Sequence, residues 1–297
     1  MSIQIDTALV QSYKANIEIQ FQQKGSRLRP YVRVESQKAE FDFYDRIGPT
    51  DAVEVMTRHA DTPLVNTPHD RRRVSLRDFD WADMIDRQDK VRMLADPTSS
   101  YSQNAVFAMG RKMDDIIVDA AFGTAYTGKT GSTSVVFPTS TQQIAADYVE
   151  SGSTAASNLT IGKLRRARFM LDNNEALEDG EDLVCVVHAA QIQALLRQTE
   201  ITSSDYNQVK ALVEGKVDTF MGFKFIRMNR LPKSGNNRSV LMFARGGLLA
   251  AIGYDVTVDV GPRRDKRNSV QVYVCMNMGA TRMWEEKVIK CLCDETV

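Results

Sequence analysis

The segment Gly123-Thr124-Ala125-Tyr126-Thr127-Gly128-Lys129-Thr130 matches the phosphate-loop pattern G-x-x-x-x-G-K-[ST] at every specified position. In that chemistry backbone N–H groups and the lysine cradle phosphates, while the closing hydroxyl holds Mg²⁺. The pattern requires a strand before it and a helix that starts at its end. Here a strongly periodic helical stretch precedes it, and the following Gly131 to Pro138 is glycine-started, β-branched and closed by proline. The helix N-terminus that would face the phosphates is therefore missing from the expected context. The best strand for a Mg²⁺-holding acid, Leu183 to Val187, ends in His188 instead of Asp or Glu. The expectation is a glycine-rich loop leaving a helix. A nucleotide-binding enzyme using Gly123 to Thr130 stands as the alternative.

Other residues with chemical potential are more scattered. Cys291 and Cys293 sit in an alternating strand pattern, far in sequence from the three histidines His59, His69 and His188, so buried thiols are expected and no metal site. No Gly-x-Ser-x-Gly elbow and no His-Glu-x-x-His is present. The carboxylate pairs Asp114-Asp115 and Glu285-Glu286 are adjacent, so their members point apart and read as solvated faces. No catalytic residue and no cofactor is expected. The run Arg71-Arg72-Arg73, with Arg77 nearby, is more informative. It lies among Asp61, Asp70, Asp78 and Asp80, and the planar guanidinium fork suits carboxylates at interfaces. Arg58, Asp61, Arg71, Arg72, Arg73 and Arg77 are thus the candidate contacts between copies of the chain.

The elements that carry these residues read as follows. The chain has 297 residues, 43% hydrophobic and 26% charged, with 38 basic side chains against 38 acidic ones. That composition is ordinary for a globular protein, and the length suits about two domains. A balance of charge argues against a free-standing nucleic-acid binder. No run approaches the roughly 20 apolar residues of a membrane span, and Met1 to Val10 shows no secretory signal. Four cysteines in such a chain fit a reducing compartment.

Residues 1–30 are polar with sparse apolar positions and read as an arm that packs on something else. Tyr31 to Val34, Phe41 to Asp45 and Val74 to Trp81 alternate like strands. The long polar excursion between the last two suggests an extended hairpin, which needs a neighbour to lie on. Asp96-Pro97 opens the clearest helix, with Val106, Met109, Met113, Ile116, Ile117 and Ala120 at helical spacing and Gly123 at its end. Thr160 caps a helix with Leu164, Ala167 and Leu171 inward, and His188 to Gln198 forms another. Gly215 to Met228 gives two short strands around a glycine. Tyr254 to Val260 and Val270 to Met276 form a long antiparallel hairpin, and Lys287 to Cys293 a last strand. The class is α+β.

This order of parts resembles the tailed-phage major capsid proteins of the Hong Kong 97 type, over most of the chain. Short stretches are similar too: Asp96-Pro97-Thr98-Ser99-Ser100-Tyr101, Gly128-Lys129-Thr130-Gly131, Gly222-Phe223-Lys224-Phe225-Ile226 before Leu231-Pro232, and Gly279-Ala280-Thr281-Arg282. The resemblance implies a Hong Kong 97-like capsid fold without catalytic role. It would have an N-terminal arm (1–30), an extended β-hairpin loop with flanking strands (31–95), and a peripheral domain with a spine helix (96–155). An axial domain (156–252) would follow, then the peripheral long hairpin (253–278) and a return to the axial domain (279–297). It also implies pentamers and hexamers that close an icosahedral shell around packaged double-stranded DNA. Such a shell is assembled in the bacterial host cytoplasm, without membrane contact. The implied partners are copies of itself, a portal, the packaged DNA without sequence-specific contact and, in some shells, a cement protein. A cellular encapsulin-like compartment shell of the same fold is the other alternative.

Two departures from the family's pattern matter. No lysine lies between Lys38 and Lys90, so the loop cannot supply the lysine for the isopeptide crosslink of the family's namesake. A shell held by loop overlap, arm and ion pairs is expected instead. No charged coiled-coil-like segment precedes the arm, so a separate scaffolding protein is expected.

Overall fold

The computed structural model describes residues 22–57, 61–86, 98–150, 152–177, 181–198 and 219–296. The chain divides into two compact units, each built from separated stretches of sequence. One comprises Met1–Ser26, Asp78–Arg111 and Tyr254–Asn277; the other comprises Arg27–Arg77, Lys112–Gly253 and Met278–Val297.

The first unit holds most of strand β4 (Arg77–Ile85), the distal part of a hairpin made by β13 (Leu248–Arg263) and β14 (Ser269–Arg282), and the first half of helix α1 (Thr98–Phe122). The hairpin runs at the expected position. Its turn is closed by Arg267 and Asn268, both left-handed at φ 52° and 56°. Alternation buries Val272, Val274 and Met276 on one side of β14. From the other side the Tyr273 hydroxyl donates to Asp80 at 2.8 Å and the Asn277 amide donates to Asp78, which ties β14 to β4. Helix α1 buries Ala105, Met109, Met113, Ile117 and Ala121, a strict four-residue stripe. Val106, Ile116 and Ala120 flank that stripe half-buried. The expected cap at Asp96-Pro97 lies outside the described residues. At Gly110 a Cβ would sit 2.4 Å from the Gly25 carbonyl carbon, so only glycine lets the N-terminal segment cross the helix there. Gln22 then donates to Asn104 at 2.8 Å and accepts from Arg111.

The second unit contains the larger core. Strands β7 (Gln143–Ile144), β8 (Leu183–Val187), β9 (Thr219–Phe220), β10 (Phe223–Arg227), β11 (Lys233–Ser234), β12 (Asn237–Ala244) and β15 (Val288–Asp294) form one sheet. Its order is β7-β15-β12-β8-β10-β9, with β11 on β12. β8 is buried along its whole length, which explains its continuous apolar run. Helices α2 (Ile161–Asn173) and α3 (Ala189–Leu196) add Leu164, Ala167, Leu171, Ile192 and Leu195 to this core. Each buried leucine or isoleucine is worth about 1.5–3 kcal/mol. Thr160 caps its helix as the sequence predicts, its Oγ1 accepting from the Lys163 N–H; His188, expected as the first helical residue, instead caps α3, its Nδ1 accepting from the Ala190 N–H.

Beside this core, β1 (Arg33–Ser36) pairs in parallel with the start of β13. A further sheet has the order β2-β3-β5-β6, from β2 (Phe41–Ile47), β3 (His69–Ser75), β5 (Ala125–Thr127) and β6 (Thr133–Val135). β2 and β3 form the expected antiparallel hairpin, with Phe41 opposite Ser75 and Ile47 opposite His69. The connection between them has exposed apolar residues, including Val53, Val55, Met56 and Leu64. One expectation is corrected. Val74 to Trp81 is not one strand: β3 ends at Ser75 and pairs with β2, while β4 starts at Arg77 and pairs with β14. The Leu76 N–H between them turns to the Glu40 carbonyl at 3.0 Å.

Candidate functional site

The β2–β3 hairpin meets the rest of its unit at an interior cluster of ions. Arg46 on β2 donates from Nη2 to Asp70 Oδ2 at 2.6 Å and from Nη1 to the Met283 carbonyl at 2.7 Å. The same Nη1 lies 3.3 Å from Glu285 Oε2, and the guanidinium stacks 5.1 Å over the Trp284 ring. Arg72, opposite Tyr44 on β3, donates from Nη2 to Glu285 Oε1. Arg282 Nε approaches that same oxygen to 3.5 Å. Arg282 also donates to the carbonyls of Ala121 and Gly123, both at 2.9 Å, and of Val135 at 3.2 Å. It thereby holds the end of α1 and strand β6 to β14.

The side chains of Arg72 and Arg282 are 0% exposed, and Glu285 only 14%. Burial pulls both guanidinium values below the ordinary one, against the opposing pull of Glu285. They stay charged all the same. Asp70 shows the opposite balance. Burial raises it, but hydrogen bonds from Thr127 and Arg46 outweigh that and hold it at about 2.

The expected contact residues fall into different places. Arg58 lies outside the described residues. Asp61 is exposed on the β2–β3 connection, and Arg77 is exposed at the start of β4. Arg71 is 41% exposed, 3.1 Å from Asp45, with its guanidinium 5.5 Å over Phe43. Arg73 stacks on Phe41 and Tyr126, each at 5.0 Å. Arg72 is a correction. Strand alternation turns it inward between these two neighbours, so it pairs within its own subunit and is not available to another.

The reading of Glu285 and Asp114 as solvated faces is likewise overturned. Asp114 is fully buried and accepts the N–H groups of Arg27, at 3.1 and 3.0 Å, and of Leu28, at 3.0 Å. Its neighbour Asp115 turns outward to Arg230, which donates from Nε at 3.0 Å. Adjacent carboxylates did point apart, as expected, but one of each pair points into protein. Nothing local in the sequence marks Arg46, Arg72 and Glu285 as partners, because more than 200 residues separate Glu285 from both arginines.

The phosphate-loop look-alike is a β-hairpin. β5 and β6 pair antiparallel with Tyr126 opposite Ser134, and Gly128 and Gly131 turn the chain at φ 91° and 63°. A Cβ at Gly131 would also lie 2.6 Å from Arg73 Cδ, so this glycine makes room for the stacked arginine. Lys129 is exposed and lines a cavity of about 460 Å³ with Asp45, His69, Asp70, Arg71 and Gly128. No helix begins there. Cys291 and Cys293 are buried in β15 as expected, with their sulfurs 3.9 Å apart. Among the described residues no group of three or more His, Cys, Asp or Glu is placed to hold a metal ion, and no helix is long and apolar enough to cross a membrane.

The comparisons with known proteins agree with this architecture. The fold is shared with the capsid of cyanophage P-SCSP1u, at TM-score 0.74 and 16% identity over 97% of this chain and 94% of that one. The capsid of Ralstonia phage GP4 matches at TM-score 0.77 and 10% identity, over 96% and 95%. The acid-stable capsid of Helicobacter pylori bacteriophage KHP30 matches at TM-score 0.74 and 10% identity, over 99% and 98%. No curated relative matches the chain. The α+β capsid fold expected from the order of parts is therefore the fold observed. The sequence profile of the family described as phage capsid protein matches residues 5–295, and the chain belongs to that family as a structural protein of the phage head.

Proposed function

We propose that this major capsid protein forms pentamers and hexamers that close an icosahedral shell around double-stranded DNA. The observation that carries the reading is the family match over residues 5–295, joined to a fold shared end to end with phage capsids. In this reading the chain does no catalysis, and the residues that act are those that meet other copies. Asp61, Arg71, Arg73 and Arg77, with Arg58, are the charged candidates, and the exposed Val53, Val55, Met56 and Leu64 of the β2–β3 connection are the apolar ones. The parts divide as arm 1–30, loop 31–95, peripheral domain 96–155 with 253–278, and axial domain 156–252 with 279–297. Assembly takes place in the bacterial cytoplasm on a separate scaffolding protein, with a portal at one vertex.

Neutral overall charge fits this role. A strongly attractive lining would oppose movement of DNA during packaging. Negative-stain microscopy of the chain expressed alone and with its scaffolding protein tests the proposal. Uniform closed particles are expected. Monomers or amorphous aggregates under both conditions would overturn it.

A further inference from the structure

The ions at the root of the extended loop do not balance. The charges facing one another there are Arg46, Arg72 and Arg282 against Asp70 and Glu285, three cations to two carboxylates. The next carboxylate along the hairpin, Asp45, is engaged by Arg71. Removing an uncompensated charge from water costs several kcal/mol. Hydrogen bonding is also incomplete. Arg282 gives both Nη groups to backbone carbonyls. Arg72 gives only Nη2, to Glu285; its Nε and Nη1 are fully enclosed and make no hydrogen bond among the described residues, and neither does the enclosed Nε of Arg282, whose contact with Glu285 Oε1 is long at 3.5 Å. Buried donors of that kind are almost always satisfied.

From this we infer that the loop root holds a small monovalent anion of the halide class, taken up by the free N–H groups of Arg72 and Arg282. A water molecule would supply an acceptor but leave the surplus charge. A carboxylate from another copy cannot reach guanidinium groups that are 0% exposed. The same enclosure disfavours a polyatomic ion such as phosphate. The anion would complete the joint between strand β3, the end of α1 and the Arg282–Glu285 segment, and so set the stiffness with which the loop leaves the body.

The test is urea unfolding of the unassembled full-length chain in sodium chloride against sodium gluconate at constant ionic strength, with bromide as a second probe. Above its dissociation constant, each tenfold rise in chloride should multiply the folding equilibrium constant by about ten. Arg72→Met balances the site at two charges each and should abolish that dependence. Glu285→Gln leaves three cations against one carboxylate and should tighten chloride binding by at least about threefold. Equal stability of the wild type in chloride and gluconate would overturn the inference, because water then satisfies the donors. So would a chloride dependence that survives in Arg72→Met. If Arg72→Met does not fold, Glu285→Gln decides: chloride dependence no steeper than wild type rejects the site.

Discussion

Arg72 and Glu285, 213 residues apart in sequence, form an ion pair in which the guanidinium is wholly shielded from water. Removing the carboxylate leaves Arg72, Arg282 and Arg46 without a shared partner in the interior. Glu285→Ala should therefore cost about 3–5 kcal/mol of folding stability, the range for breaking a buried pair on one side. Arg71→Ala, one residue away on the half-exposed face and paired with exposed Asp45, should cost about 1 kcal/mol or less. Urea titration of the two variants checks the contrast, and equal losses would refute it.

Lys163 makes a second buried joint without a carboxylate. Its side chain is 0% exposed, and Nζ donates to the carbonyls of Ala146 at 2.9 Å, Ser157 at 2.7 Å and Leu292 at 3.1 Å. All three ammonium donors are used, and they join α2, the loop before it and β15. Lys163→Met keeps the volume but leaves three carbonyls short of a donor. A loss of about 2–4 kcal/mol is expected. Hydrogen exchange should show it first in β15 and in residues 146–158.

How much of this was legible in the sequence depends on how far each residue's partner lies. The α1 stripe, the β8 run, the Thr160 cap and the long hairpin follow from periods and caps contained within about 25 residues, and all were readable. The break at Leu76 was not. Val74 to Trp81 alternates without interruption, and only its partners, β2 on one side of the break and β14 on the other, divide it. Arg72 failed for the same reason. A three-arginine run reads as a set of contacts to other copies until the middle member meets a carboxylate 213 residues on in its own chain. That Gly123 to Thr130 leaves a helix and opens no new one was legible, because its context is local.

The helix cap at His188 should make the second unit sensitive to acid. Nδ1 accepts from the Ala190 N–H, so the cap needs a neutral ring. Burial lowers the imidazole value and Arg238 and Lys233 lower it further, against the opposing carboxylate of Glu295 at 3.7 Å. A depressed value means stability that is present above the ordinary histidine value of 6.5 and is lost as pH falls below it. Glu295 adds a second loss at lower pH. Hydrogen bonds from Arg238 chiefly, opposed by burial and helped by Lys233 and Gln191, hold it at about 2 instead of 4.5, so its contribution disappears between those values. Stability of the wild type should thus fall below pH 6.5 and again below 4.5. In His188→Asn, whose side chain caps without titrating, the first fall should vanish while the second remains.

Gly279 opens the Gly279-Ala280-Thr281-Arg282 segment, and its role is close approach. A Cβ there would lie 2.3 Å from the Ser75 carbonyl oxygen and 3.0 Å from Val74 Cγ1. The nearest obstacle is backbone, which cannot swing aside. Gly279→Ala should separate β14 from the end of β3 and cost roughly 1–3 kcal/mol, as overpacking does. Gly261→Ala, with open space around it, should be close to neutral in the same thermal melt.

The loop's composition makes a prediction about the particle itself. With no lysine from Ala39 to Asp89, the extended loop offers no amine to a neighbouring asparagine or aspartate for an isopeptide bond. On the proposed function the cohesion left to it would be non-covalent, through Asp61, Arg71, Arg73, Arg77 and the exposed Val53, Val55, Met56 and Leu64. Purified particles boiled in detergent should therefore run as a single band near 33.3 kDa, where a crosslinked shell would give a ladder of multiples or stay in the well. Surface ion pairs weaken as salt screens them. Raising salt should accordingly lower the temperature at which particles come apart, and Arg71→Glu with Arg77→Glu should lower it further, by more than the loss of the Arg71–Asp45 pair lowers the unfolding midpoint of the free subunit. A ladder on the gel, or particles whose disassembly ignores both salt and these substitutions, would show that the loop is held by something other than its charges.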